Sequence, residues 1–552
     1  MTFNKFDFSN EFFQPFITEI EQEVKAILNK DSPPLGMTYE AILAFTEKGS
    51  RCESEKNYFQ RRKEVVALGL YLQMNEDEIA MTYFKNLVWD ICQEHSWSLP
   101  AHFKMGHHQT TIDLFAAETA HMMAEFTEIF IDKFEPLLLL EIKNQIWHRV
   151  LTPFLAMDWP WEKLENNWSA VCAGAIGMTV LVLDVKAEEK DIILNRCLKA
   201  MDCFLEGYGE DGCCTEGVSY WVYGFGFYLY FAEIYERYLG IDLLMGEKVE
   251  AIASFPRKLQ GKDGRFVMFS DAVTTTHVPT GIQSFLKRKW GISLLNDDKI
   301  SSFHFDHCYR WAHLSRIVSW YDPDKLTITK SECSSHYFPD AQWLVFKNAD
   351  LFFAAKGGHN GESHNHNDLG SFVLGIGEDL TLVDFGAGAY SADYFGDKRY
   401  TYIQTRSNWH SVPTLNDQEQ IAGTKYRAIV ENAQSNESGC HFKLDLSKAY
   451  PTTVTLKRHF QLDASAKQLR IVDETDAKSY QANFVTYEKP MIKDKKLLWQ
   501  QLQLTYYPNC FEVKIEEAVA RNHFNQEEKV YAIRLIAKKK SEQYEFVFTG
   551  QL

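Results

Sequence analysis

The feature that most limits what this chain can fold into is a change of period near its middle. From residue 1 to about 325, apolar residues recur at three- and four-residue spacing, as in NEFFQPFITEIEQEVKAILNK, EDEIAMTYFKNLVWDICQEH and KDIILNRCLKAMDCFLEGY. That spacing puts one apolar stripe on a helix. After about residue 335 the spacing falls to two. QWLVFKNADLFFAAKGG, TTVTLKRHFQLD and KVYAIRLIAKKKSEQYEFVFTG alternate strands with polar turns. Successive helical hairpins predict an α/α toroid or solenoid over 1–330. Closely spaced strands predict an antiparallel β-sandwich over 331–552.

Charge narrows the partners. The net charge of −17 over 552 residues speaks against free nucleic acid, which needs a basic surface. An acidic glycan is still open, because a local cluster of Arg and Lys can bind it against the global sign. Aromatic residues reach 14%, which suits a large core or a cleft that stacks on sugar rings. The most apolar run, YWVYGFGFYLYFAEIY, is short and contains Glu233, so no membrane span is expected. The N-terminus, MTFNKFDFSNEFFQPF, lacks a basic stretch followed by an apolar one, and a cytoplasmic location is expected. The eleven cysteines form no CxxC pair, which predicts reduced thiols. A homo-oligomer remains open.

The polar residues concentrate in a few places. GGHNGESHNHNDLGSF holds three histidines, and in an extended segment His364, His366 and Asp368 would point to one side. Asp384 ends the apolar run LTLVDFG, and TRSNWHSV supplies His410. Two imidazoles and a carboxylate from separate strands can hold zinc with room for a fourth ligand. The alternative is a set of turn and strand-end residues that bond the backbone. In the helical part, ENNWSAVCAGA opens a helix with Asn166 and Asn167, where Asn is also a good N-cap. DGCCTEGVSYWVYGFG places Tyr220 near a helix start, with Tyr223 at the i, i+3 spacing that often means packing. Glu210, Asp211 and Glu216 beside it are carboxylates of the kind a glycoside hydrolase requires.

Taken in order, NNWSAVC, DGCCTEGVSYWVYG, SHNHNDLGSFVL, VDFGAGAY and RSNWHSVPTLNDQEQ resemble the heparinase II/III-like polysaccharide lyases. The resemblance implies an incomplete (α/α) toroid followed by an antiparallel β-sandwich. It also implies β-elimination at a uronic acid of an acidic oligo- or polysaccharide, with one structural zinc. By that resemblance Asn167 neutralises the substrate carboxylate and Tyr220 acts as acid and, in many members, as base. His364 is a base or carboxylate contact, and His366, Asp384 and His410 hold the zinc. Asn166, Trp168, Tyr390, Arg399 and Arg406 are expected at the substrate, although the two arginines equally suit salt bridges. Some members carry a histidine beside the neutralising asparagine. Here Asn166 and Trp168 flank Asn167, which leaves Tyr220 or His364 as base. Members that digest long polymers are usually exported, so this chain is expected to act on imported oligosaccharides. A glycoside hydrolase and a non-catalytic glycan-binding protein with structural zinc are the competing readings.

Overall fold

The computed structural model describes residues 6–551 except 31–33, 35, 105, 262–263, 274–275, 296–298, 323–332 and 378. The chain divides into two compact units, and the division is not a single cut. One unit comprises Met1–Tyr208, Tyr220–Glu250 and His277–Ile328; the other comprises Gly209–Ser219, Ala251–Thr276 and Thr329–Leu552. The expected boundary at residues 330 and 331 lies outside the described residues.

The first unit is helical. Its helices start where the sequence supplies side-chain caps. Asp77 Oδ1 accepts the amides of Ile79 and Ala80, both at 3.0 Å, to open Glu78–Cys92. Asp113 Oδ1 accepts the Ala116 amide at 2.8 Å to open Leu114–Ile129. Such caps satisfy amides that have no partner within the helix. Helix Asn167–Val182 is buried on almost every side and packs against Leu114–Ile129 and Ala187–Glu206. A helix that is apolar on every face is stable where packing covers every face. No helix of the described residues is long and apolar enough to cross a membrane.

The second unit is built from antiparallel sheets. Five strands run in the order Ser334–Phe338, Trp343–Lys347, Leu351–Lys356, Phe372–Ile376 and Asp379–Leu382. An eight-stranded sheet is centred on Gln543–Gly550, Gln468–Thr475, Leu456–Asp463 and Gly439–Asp445, and a four-stranded sheet on Glu527–Ala537 and Tyr480–Thr486. All three contribute to one core containing Phe353, Phe372, Phe460, Phe484 and Phe548. In Leu456–Asp463 every second residue, from Leu456 to Leu462, is buried, which is the period-two pattern of the sequence made physical. Trp343–Lys347 and Phe372–Ile376 are buried at every position, and apart from the terminal Lys347 they hold only apolar residues and glycine.

A buried ion pair stands inside this core. Arg458 Nη2 donates to Asp473 Oδ2 at 2.7 Å, and neither side chain is exposed. Arg458 Nη1 also donates to the carbonyls of Gly370 at 3.0 Å and Ser411 at 2.7 Å. The pair thereby ties together two loops that carry Asp368 and His410.

Candidate functional site

In the second unit, His366, Asp368, Asp384 and His410 meet, with one ligand atom from each lying within 4.8 Å of all the others. His410 Nδ1 lies 3.2 Å from Asp384 Oδ2 and 4.0 Å from Asp368 Oδ2, and His366 Nδ1 lies 3.8 Å from Asp384 Oδ1. Ligands placed tetrahedrally at zinc bond lengths sit about 3.3 Å apart. His366 Nδ1, Asp368 Oδ2, Asp384 Oδ2 and His410 Nδ1 are buried and have no hydrogen-bond partner among the described residues. Native interiors seldom leave such atoms unsatisfied.

The outer nitrogens show how the inner ones are prepared. His410 Nε2 donates to the Gln404 carbonyl at 2.8 Å, and a carbonyl can only accept. His366 Nε2 donates to Asp271 Oδ1 at 3.0 Å. Each ring's proton is therefore held on the outside, and each Nδ1 lone pair points to the cluster, as metal-binding histidines require. The donor set fits a divalent cation, and Asp368 joins the three residues the sequence suggested. Lys356 Nζ, 2.8 Å from Asp368 Oδ1, offsets part of the negative charge.

Asp271 is the hub beside this cluster. Its Oδ1 accepts from His366 and from the Tyr394 hydroxyl at 2.7 Å; its Oδ2 accepts from His364 Nδ1 at 2.8 Å and Arg399 Nη2 at 3.0 Å. Burial opposes its charge, but the bonds from His364 and His366, helped by Arg399, hold the carboxyl well below the usual range. The turn bearing it is locked in place. The Ala387 amide donates to the Ala272 carbonyl at 2.8 Å, and a Cβ on Gly386 would sit 2.3 Å from that same oxygen. Gly386 has φ +61°, so only glycine serves there without strain.

His364 sits at φ +54°, within a turn. The segment is thus not the extended strand that would align His364, His366 and Asp368 on one side. The reversal sends His364 to the other oxygen of Asp271. Its side chain is 22% exposed. Burial works against the imidazolium, yet the Asp271 bond and the charges of Glu216 and Asp271 raise its pKa above the ordinary value. Tyr390 stacks at 6.4 Å from the His364 ring, and the half-exposed Phe395 meets it edge-on at 5.8 Å. Arg399 also donates to the Asn365 carbonyl at 3.1 Å, and Arg406 is paired with Glu419.

In the helical unit, Asn166 is the N-cap of Asn167–Val182, its side chain accepting the Trp168 amide at 3.1 Å. Asn167 is buried beside Gly224, where an added Cβ would lie 3.2 Å from Asn167 Cα. Tyr220 is four residues before Gly224 on helix Val218–Leu239. Residues four apart share a helix face, so Asn167 packs against the face that carries Tyr220. Trp168 meets His102 edge-on at 5.0 Å. Three residues on from Tyr220, the Tyr223 hydroxyl donates to Glu118, while the Arg310 guanidinium lies 4.0 Å over the Tyr223 ring. Burial pushes Glu118 up to about 7 against the pull of Arg310. Asp211 is used in a turn, its carboxylate accepting the amides of Cys213 at 2.9 Å and Asp340 at 2.8 Å.

Residues 332–530 match the family model described as heparinase II/III-like, C-terminal. The second unit carries a heparinase II/III-like domain. Solved structures agree in fold. A heparan sulfate lyase from Pedobacter heparinus superposes with a TM-score of 0.66 at 14% identity, over 99% of this chain and 85% of that one. A heparinase III gene product gives 0.63 at 15%, over 99% and 94%, and a further heparinase III gives 0.66 at 11%, over 99% and 92%. The shared architecture is a helical toroid followed by antiparallel sheets, as the change of period predicts. No curated protein sequence matches the chain. The heparinase II/III-like domain contains His366, Asp368, Asp384 and His410, but Asp271 lies outside the matched residues.

Sequence reasoning missed Asp271, Asp368 as a fourth ligand, and the Glu118–Tyr223–Arg310 group. Asp368 stood in the HNHND run and was available to a reading that allowed a turn there. Asp271 is 93 residues from His364, and no local pattern signals that contact.

Proposed function

We propose that the protein is a lyase that cleaves uronate-containing, glycosaminoglycan-like oligosaccharides by β-elimination and leaves a 4,5-unsaturated uronate. The observation that carries this reading is the Asp271–His364 pair. The ionised carboxylate fixes the His364 proton on Nδ1, so the basic lone pair of the neutral ring is on Nε2. His364 then removes the proton on carbon 5, or holds the carboxylate that acidifies it. Asn167 neutralises that carboxylate, without which the carbanion-like state is too costly. Tyr220 protonates the leaving oxygen on carbon 4. Asn166, Trp168 and Tyr390 border the sugar. Arg399 positions Asp271, and Arg406 reaches an acidic group only by exchanging it for Glu419.

We assign zinc to His366, Asp368, Asp384 and His410. When bound, the ion supplies positive charge that joins the loops ending at Asp368, Asp384 and His410. It is a structural group, and the elimination is carried by side chains.

The test is the mass of the product from a defined uronate oligosaccharide. Elimination gives fragments whose summed mass equals that of the substrate. A sum heavier by one water would replace this reading with hydrolysis.

A further inference from the structure

None of the residues assigned above lines a cavity of about 310 Å³ in the helical unit, walled by Gln93, His95, Gln109, Gln145, His148 and Arg149 among others. It forms where a π-helical turn, Trp147–Leu151, interrupts the passage from Pro136–Ile146 to Thr152–Ala156. Such turns insert an extra residue, re-aim the side chains around them and concentrate at functional sites. Here the turn carries both His148 and Arg149.

Arg149 is a buried cation that forms no direct ion pair among the described residues, although Glu94, which also lines the cavity, and Glu141 act on it through space. It is 5% exposed. Its Nε donates to Gln145 Oε1 at 2.8 Å, and its Nη2 donates to the carbonyls of Glu94 at 2.6 Å and Cys92 at 3.3 Å. All three acceptors are neutral, and Nη1 has no partner among the described residues. The carboxylates of both acids make their direct contacts with other groups. The Glu94 carboxylate pairs with Arg62 at 2.8 Å and Arg61 at 3.0 Å, and Glu141 accepts the Gln145 and Gln93 amides at 2.9 and 3.2 Å. Two exposed imidazoles, His95 and His148, share the cavity wall, and His95 stacks on His108 at 4.0 Å. A buried charge left unmatched is expensive, and guanidinium matches oxyanions in shape as well as sign.

We propose that this cavity is a binding site for a small oxyanion, held by Arg149 with His95, His148 and the surrounding glutamine amides. The chemistry is shared by free sulfate or phosphate and by the sulfate or carboxylate of an acidic sugar. The inference does not depend on the lyase reading.

Isothermal titration calorimetry on the full-length protein tests it, with sulfate, phosphate, glucuronate and a sulfated N-acetylglucosamine, at constant ionic strength set by chloride. One saturable site is expected. Arg149→Gln weakens it by about tenfold or more, the loss of one charge-assisted contact. His95→Ala combined with His148→Ala alters only exposed side chains and weakens it by about fivefold. Free anions binding as tightly as the sugars identify an inorganic oxyanion site, and a sulfated or carboxylated sugar binding about tenfold tighter identifies a glycan subsite; both support the proposal. Absence of a saturable signal from all four probes, or a signal unchanged in the double histidine variant, overturns it.

Discussion

The two units use polar residues in opposite ways. In the helical unit the candidate groups come from neighbouring positions along helices: Asn166 and Asn167 at one helix start, Tyr220, Tyr223 and Gly224 within two turns of another. Helical periodicity alone sets their spacing. In the β unit the groups come from separate loops and are held by buried charge. Asp271 bridges His364 and His366, and Arg458 with Asp473 fixes the loops that carry Asp368 and His410. The comparison teaches that Asn166, Asn167 and Tyr220 depend on local helix geometry, whereas the β groups, like the helical unit's own Glu118–Tyr223–Arg310 set, depend on electrostatic balance among residues far apart in sequence. Removing one partner should therefore cost much more in the β unit.

The largest effect is expected from the metal cluster. Asp384→Ala should abolish binding of one divalent ion per chain, measured by metal analysis after dialysis. It should also lower the stability of the β unit by several kcal/mol, because a structural metal contributes folding energy directly. Arg458→Met comes next. It leaves Asp473 as an uncompensated buried charge and should cost about 3–5 kcal/mol in urea unfolding. Replacing Asp473 as well, with Leu, should recover much of that loss.

Glu118 gives a smaller effect, with a defined pH signature. Its folded pKa near 7 stands above the ordinary 4.5, so the folded state holds a proton that the unfolded state releases. Its contribution is fully present below pH 4.5 and is lost as pH rises through 7. Glu118→Gln keeps a neutral group at all pH. The stability of the variant relative to wild type should therefore rise between pH 5 and pH 8 by up to about 3 kcal/mol, read from urea midpoints at both values. The smallest effect is expected at Asn166→Ala, where one cap bond is lost. About 1 kcal/mol is the expected cost, and a loss as large as that of Arg458→Met would break the contrast between the units.

Much of this organisation is legible in the sequence, for a physical reason. Burial on one face of a helix or strand imposes a period, and the period survives in the order of residues, so helices up to Trp311–Ser319 and strands from Ser334–Phe338 follow the change of period. The gathering of His366, Asp384 and His410 is legible because few other demands place imidazole and carboxylate at strand ends. The Asp271 hub is not legible. It is a lone acid in FSDAV, and its role arises from a turn fixed by Gly386 and Ala387 more than a hundred residues later. The positive φ of His364 is equally hidden, because even histidine, though enriched there, adopts a left-handed conformation only rarely. Glu118, Tyr223 and Arg310 join three distant segments, and each taken alone reads as ordinary helix surface or packing.

The decisive measurement is ultraviolet absorbance on mixing the purified protein with heparan sulfate, chondroitin, hyaluronan and alginate oligosaccharides. A rise from the conjugated double bond is expected with at least one uronate substrate, and it should fall by about 10²-fold or more in Tyr220→Phe and in His364→Ala while both variants stay folded. An absorbance rise that both variants retain in full would contradict the roles given to Tyr220 and His364, and cleavage without any rise would contradict elimination itself.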